Sequence, residues 1–385
     1  MTTTASSSLY SQELFGNRSH LLSDLQSFGV RLTSDDGAPS RIGGAGPTDH
    51  KAITVLGTTI MVPVHTHTAA ASPFWLEPAG ADGRVALHHE DEHIAYVEFP
   101  PEPKFYQFAT SEGLPYWKIA TLHSKDVLAT TILQTCIRYG NKKTKCQFCA
   151  IGESLKAGKT IAHKKPKQLA EVALAAMKYD GIKHVVMTTG TPVTTDRGAA
   201  VLAESASAIK AATGLPIQAQ CEPPDDFAWF QKLRDAGVDS LGMHLEAWDE
   251  EVRKAIMPGK AEVPLSYYME AFAAAVEVFG RGQVSTYLLA GLGDTASGLI
   301  DAARQLIVIG VYPFVVPFVP VTGTQLENHP APSTDFMRAV LGPIGQMLQE
   351  AGMTSDTVKA GCAKCGACSS LSSFEKSKSS SCSAA

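Results

Sequence analysis

The sequence is poor in the features that mark membrane-spanning, secreted and nucleic-acid-binding proteins. Its apolar runs are interrupted before they reach the ~20 residues that a transmembrane helix needs. It has no long basic run, and its formal net charge of -5 at pH 7 does not indicate a nucleic-acid partner. Its first residues, MTTTASSSLYSQELF, lack the charged start and apolar block of a signal peptide. We therefore expect a cytoplasmic protein with neither a membrane nor a nucleic-acid partner.

Cysteine is absent from the chain before Cys136, although the chain has eight cysteines. In the cytosol such residues are more often metal ligands than disulfide partners. Six of them form two groups of three, which predict two metal sites: Cys136, Cys146 and Cys149 in one, and Cys362, Cys365 and Cys368 in the other.

From Leu169 onward, helix-like segments end in glycine and are followed by short apolar, β-rich runs. With a run just before Cys136, six such strands are predicted: VLATTILQ, HVVMTT, PIQAQ, SLGMHL, VSTYLLA and PFVVPFV. Six β/α units with right-handed crossovers curl into a partial barrel, and its chemistry is expected at the C-terminal ends of the strands. The predicted fold class is therefore α/β, with a partial (β/α)6 barrel of the TIM type.

The parts of the chain before and after the predicted barrel lack this alternation of helix-like segments and β-rich runs. The runs ITVLGTTIMVPVH and HIAYVEFP alternate with Pro/Gly turns and indicate a small β-rich domain. After a last helix, STDFMRAVLGPIGQMLQEAG, comes a cysteine-rich tail whose last dozen residues we expect to be disordered. We predict an N-terminal domain over residues 1–122, a barrel over 123–350 and a cysteine-rich segment over 351–385.

The first cysteine group directly follows the first predicted barrel strand. Three thiolates on a four-iron cluster leave one iron open to a cofactor or substrate, whereas a structural zinc site would take a fourth Cys or His. Phe148, between the last two cysteines, would shield a cluster from water. A zinc site remains the alternative.

The ending Cys146-Gln147-Phe148-Cys149 resembles the Cys-x-aromatic-Cys ending of radical S-adenosylmethionine (radical SAM) enzymes. In that superfamily the first cysteine gap is usually three residues, and here it is nine. The resemblance implies a 4Fe-4S cluster held by the three cysteines and SAM bound at the open iron. It also implies a 5′-deoxyadenosyl radical that takes hydrogen from a small-molecule substrate, with a reductant such as flavodoxin or ferredoxin as electron donor.

Three further stretches resemble the biotin synthase and lipoyl synthase branch of this superfamily. Met243-His244-Leu245-Glu246 is similar to its Asn-Leu-Asp/Glu signature, which implies that His244 and Glu246 bind the ribose of SAM. A Gly-Leu-Gly-Asp-Thr turn and a Pro-x-x-Gly-Thr-x-Leu ending resemble two other motifs of the branch. The cofactor-binding residues that these two motifs imply are Gly291, Gly293, Pro320 and Gly323.

Two other strand ends carry candidate residues. Thr189 and Gly190 occupy the place of the superfamily motif that holds the methionyl amino group, but the acid of that motif is missing. Polar residues ending the third strand would face the barrel mouth and orient SAM or substrate, although a buried structural cluster fits equally well: Gln218, Gln220, Cys221 and Glu222. Arg253 either pairs with the SAM carboxylate or is a solvated helix residue.

The C-terminal triplet, Cys362-x-x-Cys365-x-x-Cys368, has the spacing of ferredoxin-like cluster loops and predicts an auxiliary iron–sulfur cluster. A zinc site remains open because short CxxC pairs also bind zinc. The fourth ligand would be Cys382, a serine or a substrate.

The long first gap and the GCAKCGAC triplet most resemble a radical SAM subfamily found in bacterial gene clusters with a nitrilase, which implies a part in nitrile or cyanide metabolism. The cationic residues of the gap bind an electron donor or an anionic substrate, or simply form a solvated loop: Arg138, Lys142, Lys143 and Lys145. Sulfur insertion by way of the second cluster and a non-catalytic metal-binding barrel remain the alternative functions.

Overall fold

The computed structural model describes residues 17–32, 50–79 and 84–376. The described residues before the barrel include two helices and six strands. In chain order they are α1 (Arg18–Phe28), β1 (Arg31–Leu32), β2 (His50–Val55), β3 (Thr58–Pro63), α2 (His67–Ala70), β4 (Phe74–Leu76), β5 (Val85–His89) and β6 (Glu92–Glu98).

These six strands form one sheet in the order β1-β4-β5-β6-β2-β3. The β-rich runs noted in the sequence form the β2–β3 hairpin and strand β6, which pair antiparallel with their neighbours. Leu21, Leu22 and Leu25 on one face of α1 pack into the core of this sheet. The predicted boundary at residue 122 stays a prediction.

Two short 3₁₀ helices, Lys104–Gln107 and Tyr116–Lys118, lead into the second sheet. Its strands and the helices that follow them come in turn along the chain, with one to three helices after each strand from the second onward. They are β7 (Thr121–His123), β8 (Val127–Thr131), α3 (Ile151–Lys156), α4 (Pro166–Asp180), β9 (His184–Thr188), α5 (Ala199–Thr213), β10 (Ile217–Gln220), α6 (Ala228–Asp235), β11 (Ser240–Gly242), α7 (Glu250–Ile256), α8 (Pro258–Ala261), α9 (Leu265–Phe279), β12 (Val284–Ala290), α10 (Ala296–Ile309), β13 (Val311–Pro317) and α11 (Thr334–Glu350).

The second sheet has the order β13-β12-β11-β10-β9-β8-β7. Strands β8 to β13 are parallel, and β7 is an antiparallel edge strand paired with β8. Five of the six predicted runs contain one of the parallel strands and the sixth, PFVVPFV, overlaps β13, so the α/β half-barrel is confirmed. Helices α4 and α5 end at Gly181 and Gly214, whose φ angles of 65° and 69° are left-handed conformations that suit glycine.

The tail returns to the barrel after α11. It contains a 3₁₀ turn, Ser355–Thr357, and two short helices, α12 (Cys362–Cys365) and α13 (Leu371–Phe374). Its residues 357–361 meet the ends at which the barrel strands begin: Gly361 N–H donates to His184 Nδ1 (3.2 Å), and Gln283 Nε2 donates to the Thr357 carbonyl (3.0 Å). The tail therefore closes the N-terminal end of the barrel.

The N-terminal sheet also contacts this tail. Met61 N–H and Gln26 Nε2 both donate to the Ala367 carbonyl, at 2.7 and 2.9 Å. The expectation of a disordered chain end is wrong for Phe374 and Glu375, which are buried, whereas residues 377–385 lie outside the described part. Glu375 is held because it accepts hydrogen bonds from the Tyr312 hydroxyl and from Ser355.

The helices that the structure describes lie within residues 17–32, 50–79 and 84–376. None of them combines the length and the apolar character needed to cross a bilayer.

Candidate active site in the barrel

A cavity of about 340 Å³ occupies the inside of the half-barrel. Phe148 and Cys149 line it near the C-terminal ends of the strands. Alternate residues of the strands form its wall because side chains at i and i+2 share one face of a strand. These wall residues include Ala129, Thr131, Val186, Thr188, Gln220, Tyr287, Leu289 and Val316. The cysteines of the C-terminal triplet line the same cavity: Cys362, Cys365 and Cys368. Cys149 of the first predicted metal site and the three cysteines of the second therefore line one cavity.

The first cysteine group lies on a loop that is bonded to itself and to its neighbours. Tyr139 N–H donates to the Cys136 carbonyl and Cys149 N–H to the Cys146 carbonyl, both at 3.0 Å. Burial raises the pKa of Cys146 to about 12 and that of Cys149 to about 11. Without a metal these two thiols hold their protons at neutral pH, so metal binding must displace them.

The donor chemistry of this loop fits an iron–sulfur cluster. The seven cysteines of the described part are all free thiols. Within residues 17–32, 50–79 and 84–376, no three His, Cys, Asp or Glu side chains converge closely enough to hold one metal ion. A four-iron cluster attaches each cysteine to a different iron, so its thiolates surround a volume and do not converge on one point.

The nine-residue gap wraps around helix α8. Thr144 O accepts a hydrogen bond from Gly259 N–H (3.2 Å), and Arg138 Nε donates to the Gly259 carbonyl (2.7 Å). A Cβ at Gly259 would lie 2.5 Å from Thr144 O, so this approach requires glycine. The expectation of a solvated cationic loop is wrong for Arg138, which is buried because its partners lie inside the fold, whereas Lys142 and Lys143 are exposed.

Glu222, directly after β10 and Cys221, is the acidic partner of this loop. Its Oε1 forms an ion pair with Arg138 and accepts from Thr191 Oγ1 (2.8 Å). Its Oε2 is buried and has no hydrogen-bond partner in the structure. A buried carboxylate oxygen without a donor is costly, so it marks a place for a donor from a bound molecule.

Glu246 forms the second buried ion pair of the site. Lys260 Nζ lies 3.2 Å from Glu246 Oε1. Burial alone would lower the pKa of Lys260, but the adjacent Glu246 and other anionic neighbours outweigh it and raise that pKa. Glu246 has a φ of 68°, a strained conformation for a residue with a side chain, and the surrounding bonds hold it there: Glu246 N–H to Tyr287 O and Leu289 N–H to Glu246 O.

His244 lines the cavity together with Glu246. Tyr287 N–H donates to His244 Nδ1 (3.2 Å), so the proton of the neutral ring is on Nε2. Burial lowers the pKa of His244 to about 4, opposed in part by Glu246, so the ring is neutral at pH 7. His244 Nε2 is buried without a partner, and the residue lines the cavity. Its N–H is thus a donor that is available to a ligand.

The remaining predicted residues at the strand ends lie around the cavity. Gly190 packs against the base of the cysteine loop, where a Cβ would lie 2.1 Å from Thr135 O. Thr189 Oγ1 donates to Gly190 O (2.9 Å). These contacts place both residues beside the loop but outside the cavity lining, and their predicted contact with SAM stays a prediction.

The two glycine motifs after β12 and β13 form supporting turns. Gly291 packs on Pro332 and Gly293 on Val252, with φ angles of 107° and 134°. Asp294 of the same turn accepts from Trp248 and Asp249 N–H and so fixes the chain after Glu246.

The turn after β13 lies partly at the surface. Pro320 is buried between two cavity-lining residues, Val319 and Val321, whereas Gly323 is exposed and packs on Glu153. The predicted contact of Pro320 and Gly323 with SAM stays a prediction.

Two predictions about polar residues are corrected by their contacts. Arg253 is buried, and it donates to the carbonyls of Leu245 (3.1 Å) and Val263 (3.0 Å). It is therefore a structural residue, neither solvated nor placed to bind SAM. The side chain of Gln218 is bonded to the tail, because its Oε1 accepts a hydrogen bond from Cys362 N–H (3.2 Å). Cys221 lies outside the cavity lining.

The C-terminal triplet is surrounded by hydrogen-bond donors. Gln220 Nε2 lies 3.2 Å from Cys362 Sγ, and the Tyr287 hydroxyl also bonds to this sulfur. Burial raises the pKa of Cys362, and these two donors oppose the effect. Cys365 receives bonds from Ser124 and from Ala367 N–H, yet burial still raises its pKa to about 12. Such donors favour the thiolate form that a metal requires.

Sequence analysis missed several residues of this site. Lys260 and Tyr287 belong to no motif, and their roles depend on partners in distant segments. His123 lies 3.4 Å from Cys368 (Nε2 to Sγ), although 245 positions separate them. A weak signal existed for Tyr287 because it alternates with core residues on strand VSTYLLA.

Comparison with known proteins agrees with this geometry. A model of the radical SAM superfamily matches residues 142–306. A bacteriochlorophyllide c C-7(1)-hydroxylase from Chlorobaculum limnaeum is 35% identical over 125 residues, which cover 32% of this chain. The chain matches about a third of the length of that relative (31%).

Solved structures that match part of the chain include two of low sequence identity. A methylornithine synthase is 19% identical, with a TM-score of 0.44, and covers 62% of this chain and 71% of its own. A radical SAM methyltransferase from Sphaerobacter thermophilus is 15% identical, with a TM-score of 0.45, and covers 73% of this chain and 76% of its own. The family model and the curated relative thus show a similarity to radical SAM enzymes over part of the chain.

Proposed function

We propose that this protein is a radical SAM enzyme whose 4Fe-4S cluster is held by Cys136, Cys146 and Cys149. When bound, the cluster supplies the electron that cleaves SAM to a 5′-deoxyadenosyl radical, which takes hydrogen from a small-molecule substrate. The observation that carries this proposal is a pair of buried polar atoms without partners: Glu222 Oε2, on the carboxylate that pairs with Arg138 of the cysteine loop, and His244 Nε2, on a residue of the cavity lining. One is an acceptor and the other a donor, and SAM offers a complementary ammonium and ribose hydroxyls.

The chain's own residues divide the work of holding SAM. Glu222 Oε2 accepts from the methionyl ammonium, while Arg138 and Thr191 hold the other oxygen in place. His244 Nε2–H donates to a ribose hydroxyl because Tyr287 fixes its tautomer. Glu246, paired with Lys260, accepts from the ribose hydroxyls. Gly190 supports the cysteine loop, and the glycine turns after β12 and β13, with Pro320 and Gly323, support the chain around these groups.

The substrate occupies the cavity between the two cysteine groups. Its wall is largely apolar, with Val186, Leu289, Val316 and Phe318 among the lining residues. Such a wall excludes water and suits a small molecule with little polar surface. The curated relative is named as a bacteriochlorophyllide c C-7(1)-hydroxylase, and a reaction that begins by taking hydrogen from a substrate carbon is compatible with that name. A place in nitrile or cyanide metabolism is part of the proposal and rests on the resemblance of the cysteine motifs.

Anaerobic reconstitution followed by a dithionite-driven SAM cleavage assay tests this function. We expect bound iron and sulfide, and 5′-deoxyadenosine as a product. Cys146→Ala should abolish cleavage, whereas Cys221→Ala, a buried cysteine outside the cavity lining, should retain it. Zinc in place of iron, or no 5′-deoxyadenosine, would favour a non-catalytic metal-binding barrel and contradict the proposal.

A second candidate is a sulfur-inserting reaction that uses the C-terminal centre. It is favoured by one observation: the C-terminal cysteines line the same cavity as Phe148 and Cys149. A substrate between the two groups would meet both centres. This candidate predicts that auxiliary sulfide is lost with turnover, and that Cys365→Ala loses product while it retains SAM cleavage. Product formation with unchanged sulfide content would rule it out.

A further inference from the structure

The C-terminal triplet supplies three thiolates, and a histidine lies against the third. His123 Nε2 is 3.4 Å from Cys368 Sγ, and both residues line the barrel cavity. We propose that His123 is the fourth protein ligand of an iron–sulfur centre held by Cys362, Cys365 and Cys368. This inference deepens the auxiliary centre of the proposed function and does not depend on SAM cleavage at the first site.

The β7–β8 turn is shaped around this part of the tail. His123 ends β7, pairs with Val127, and precedes Ser124, which has a φ of 57°. The side chain of Ser124 bonds to Cys365, while His123 contacts Cys368. Two consecutive residues of one turn thus meet two of the three cysteines. A short antiparallel hairpin fixes both side chains together, so this pairing places His123 in a fixed position relative to the triplet.

The separation of His123 and Cys368 fits two ligands on a single iron. A tetrahedral metal with a sulfur at ~2.3 Å and an imidazole nitrogen at ~2.0 Å brings these two atoms to about 3.5 Å from each other. In a cubane cluster each iron takes one protein ligand, whereas in a two-iron cluster each iron takes two, and histidine replaces cysteine on one iron of some such clusters. We therefore assign Cys368 and His123 to one iron, and the CxxC pair Cys362 and Cys365 to the other.

The surroundings supply what such a centre requires from the protein. The thiols must lose their protons when the metal binds, and His123 must present an unprotonated Nε2. Gln220 and Tyr287 donate to Cys362, and Ser124 and Ala367 N–H donate to Cys365, so both thiolates of the CxxC pair are stabilised. Met61 N–H and Gln26 hold the backbone of the tail at Ala367, next to Cys368.

The test isolates the second centre in the full-length chain. A background variant with Cys136→Ala, Cys146→Ala and Cys149→Ala removes the first site, so a failure of radical chemistry leaves the result unaffected. The variant is reconstituted anaerobically with iron and sulfide, reduced, and studied by pulsed electron paramagnetic resonance with natural and ¹⁵N-histidine-labelled protein. We expect about two irons and two sulfides per chain, as in a two-iron cluster, and a nitrogen coupling that changes isotope with the label.

Three substitutions in this background assign the coupling. His123→Ala should lose the histidine nitrogen coupling and part of the iron. His123→Cys should keep the iron and lose the coupling, which decides the matter if the alanine variant fails to fold. His50→Ala, which changes another histidine of the cavity lining, should keep the coupling. Coupling that persists in both His123 variants, no histidine coupling in the iron-loaded background, or zinc bound in place of iron would overturn the proposal.

Discussion

Lys260 and Glu246 form an ion pair that is nearly closed to solvent, with Nζ and Oε1 3.2 Å apart and side-chain exposures of 10% and 13%. Glu246 follows β11, and Lys260 belongs to α8, the helix around which the cysteine loop wraps. The pair therefore joins a residue of the proposed SAM site to the support of the first metal site.

Lys260→Met should destabilise the protein, because it leaves the carboxylate of Glu246 buried without its counter-charge. Removing one partner of a buried pair costs about 3–5 kcal/mol, whereas replacing both is often nearly neutral. Urea unfolding of Lys260→Met and of the double variant Lys260→Met/Glu246→Gln measures the difference. If the double variant is no more stable than the single one, the buried charge is not the cause of the loss.

Arg138→Lys should loosen the cysteine loop. A lysine can keep the charge but cannot bond at once to the Gly259 carbonyl and to Glu222, as the guanidinium does. We expect a loss of about 2–3 kcal/mol in unfolding free energy and less iron bound at the first site. Iron content per chain and urea unfolding check this result.

Lys142→Ala is the matched control for that loop, because this side chain is exposed on the same nine-residue gap. It should change neither iron content nor stability. Equal losses in the two variants would show that the loop responds to any substitution and not to its buried contacts.

The free energy of unfolding should decrease as the pH falls from 6.5 towards 4, because of His184. Burial lowers the pKa of His184 to about 4, opposed by Asp126 and reinforced by Lys364. Below the unfolded value of 6.5 the unfolded chain binds a proton that the folded chain excludes, so stability is full above pH 6.5 and is lost progressively towards pH 4. Between pH 7 and 5 the expected loss is about 2 kcal/mol.

His184→Asn should flatten this profile, since an amide can accept from Gly361 N–H without titrating in the window. Urea unfolding at pH 7, 6 and 5 measures it, with His67→Asn, an exposed histidine, as control. A slope that is unchanged in His184→Asn, or that is lost in His67→Asn, would contradict the assignment.

Gly361→Ala should displace the tail from the barrel. Gly361 has a φ of 105°, and a Cβ there would lie 2.1 Å from Cδ of Gln218, which is itself buried. The amide of Gln218 is bonded to Ser285 Oγ and to Cys362 N–H and so cannot move aside without losing these bonds. We therefore expect early proteolytic cleavage within residues 351–376 and loss of iron at the proposed second centre.

Gly352→Ala provides the comparison for this glycine. Its φ of 64° imposes a similar backbone strain, but nothing lies within 4 Å of the added carbon. The strain alone costs about 1 kcal/mol and should leave the tail protected. If the two variants are cleaved equally fast, backbone strain and not the close approach to Gln218 holds the tail.

The barrel was predictable because its signals are local. Each strand is a short apolar run, and glycines such as Gly181 and Gly214 mark the helix ends with a backbone conformation that few other residues adopt. The cysteine loop and His244 were found for a related reason: they follow strand ends, and parallel strands bring their ends together.

The contacts between distant segments were not predictable from the chain. In the sequence Arg138 lies close to three lysines, which predicts a solvated residue. Its burial depends on Glu222 and Gly259, which are 84 and 121 positions away. Arg253 was misassigned because its partners are backbone carbonyls, which leave no mark in a sequence. The relation of His123 to Cys368 likewise exists only once the tail has entered the barrel.

The docking of the tail at the N-terminal end of the barrel has a consequence for how the molecule is made. Residues 357–368 are synthesised after every barrel strand, and Gly361 fits against Gln218 with no room for an added carbon. The N-terminal end of the barrel is therefore uncovered until residues 357–368 have been synthesised, and the tail then covers it. The three cysteines of the proposed C-terminal centre belong to this closing segment, so that centre can form only with or after this final step.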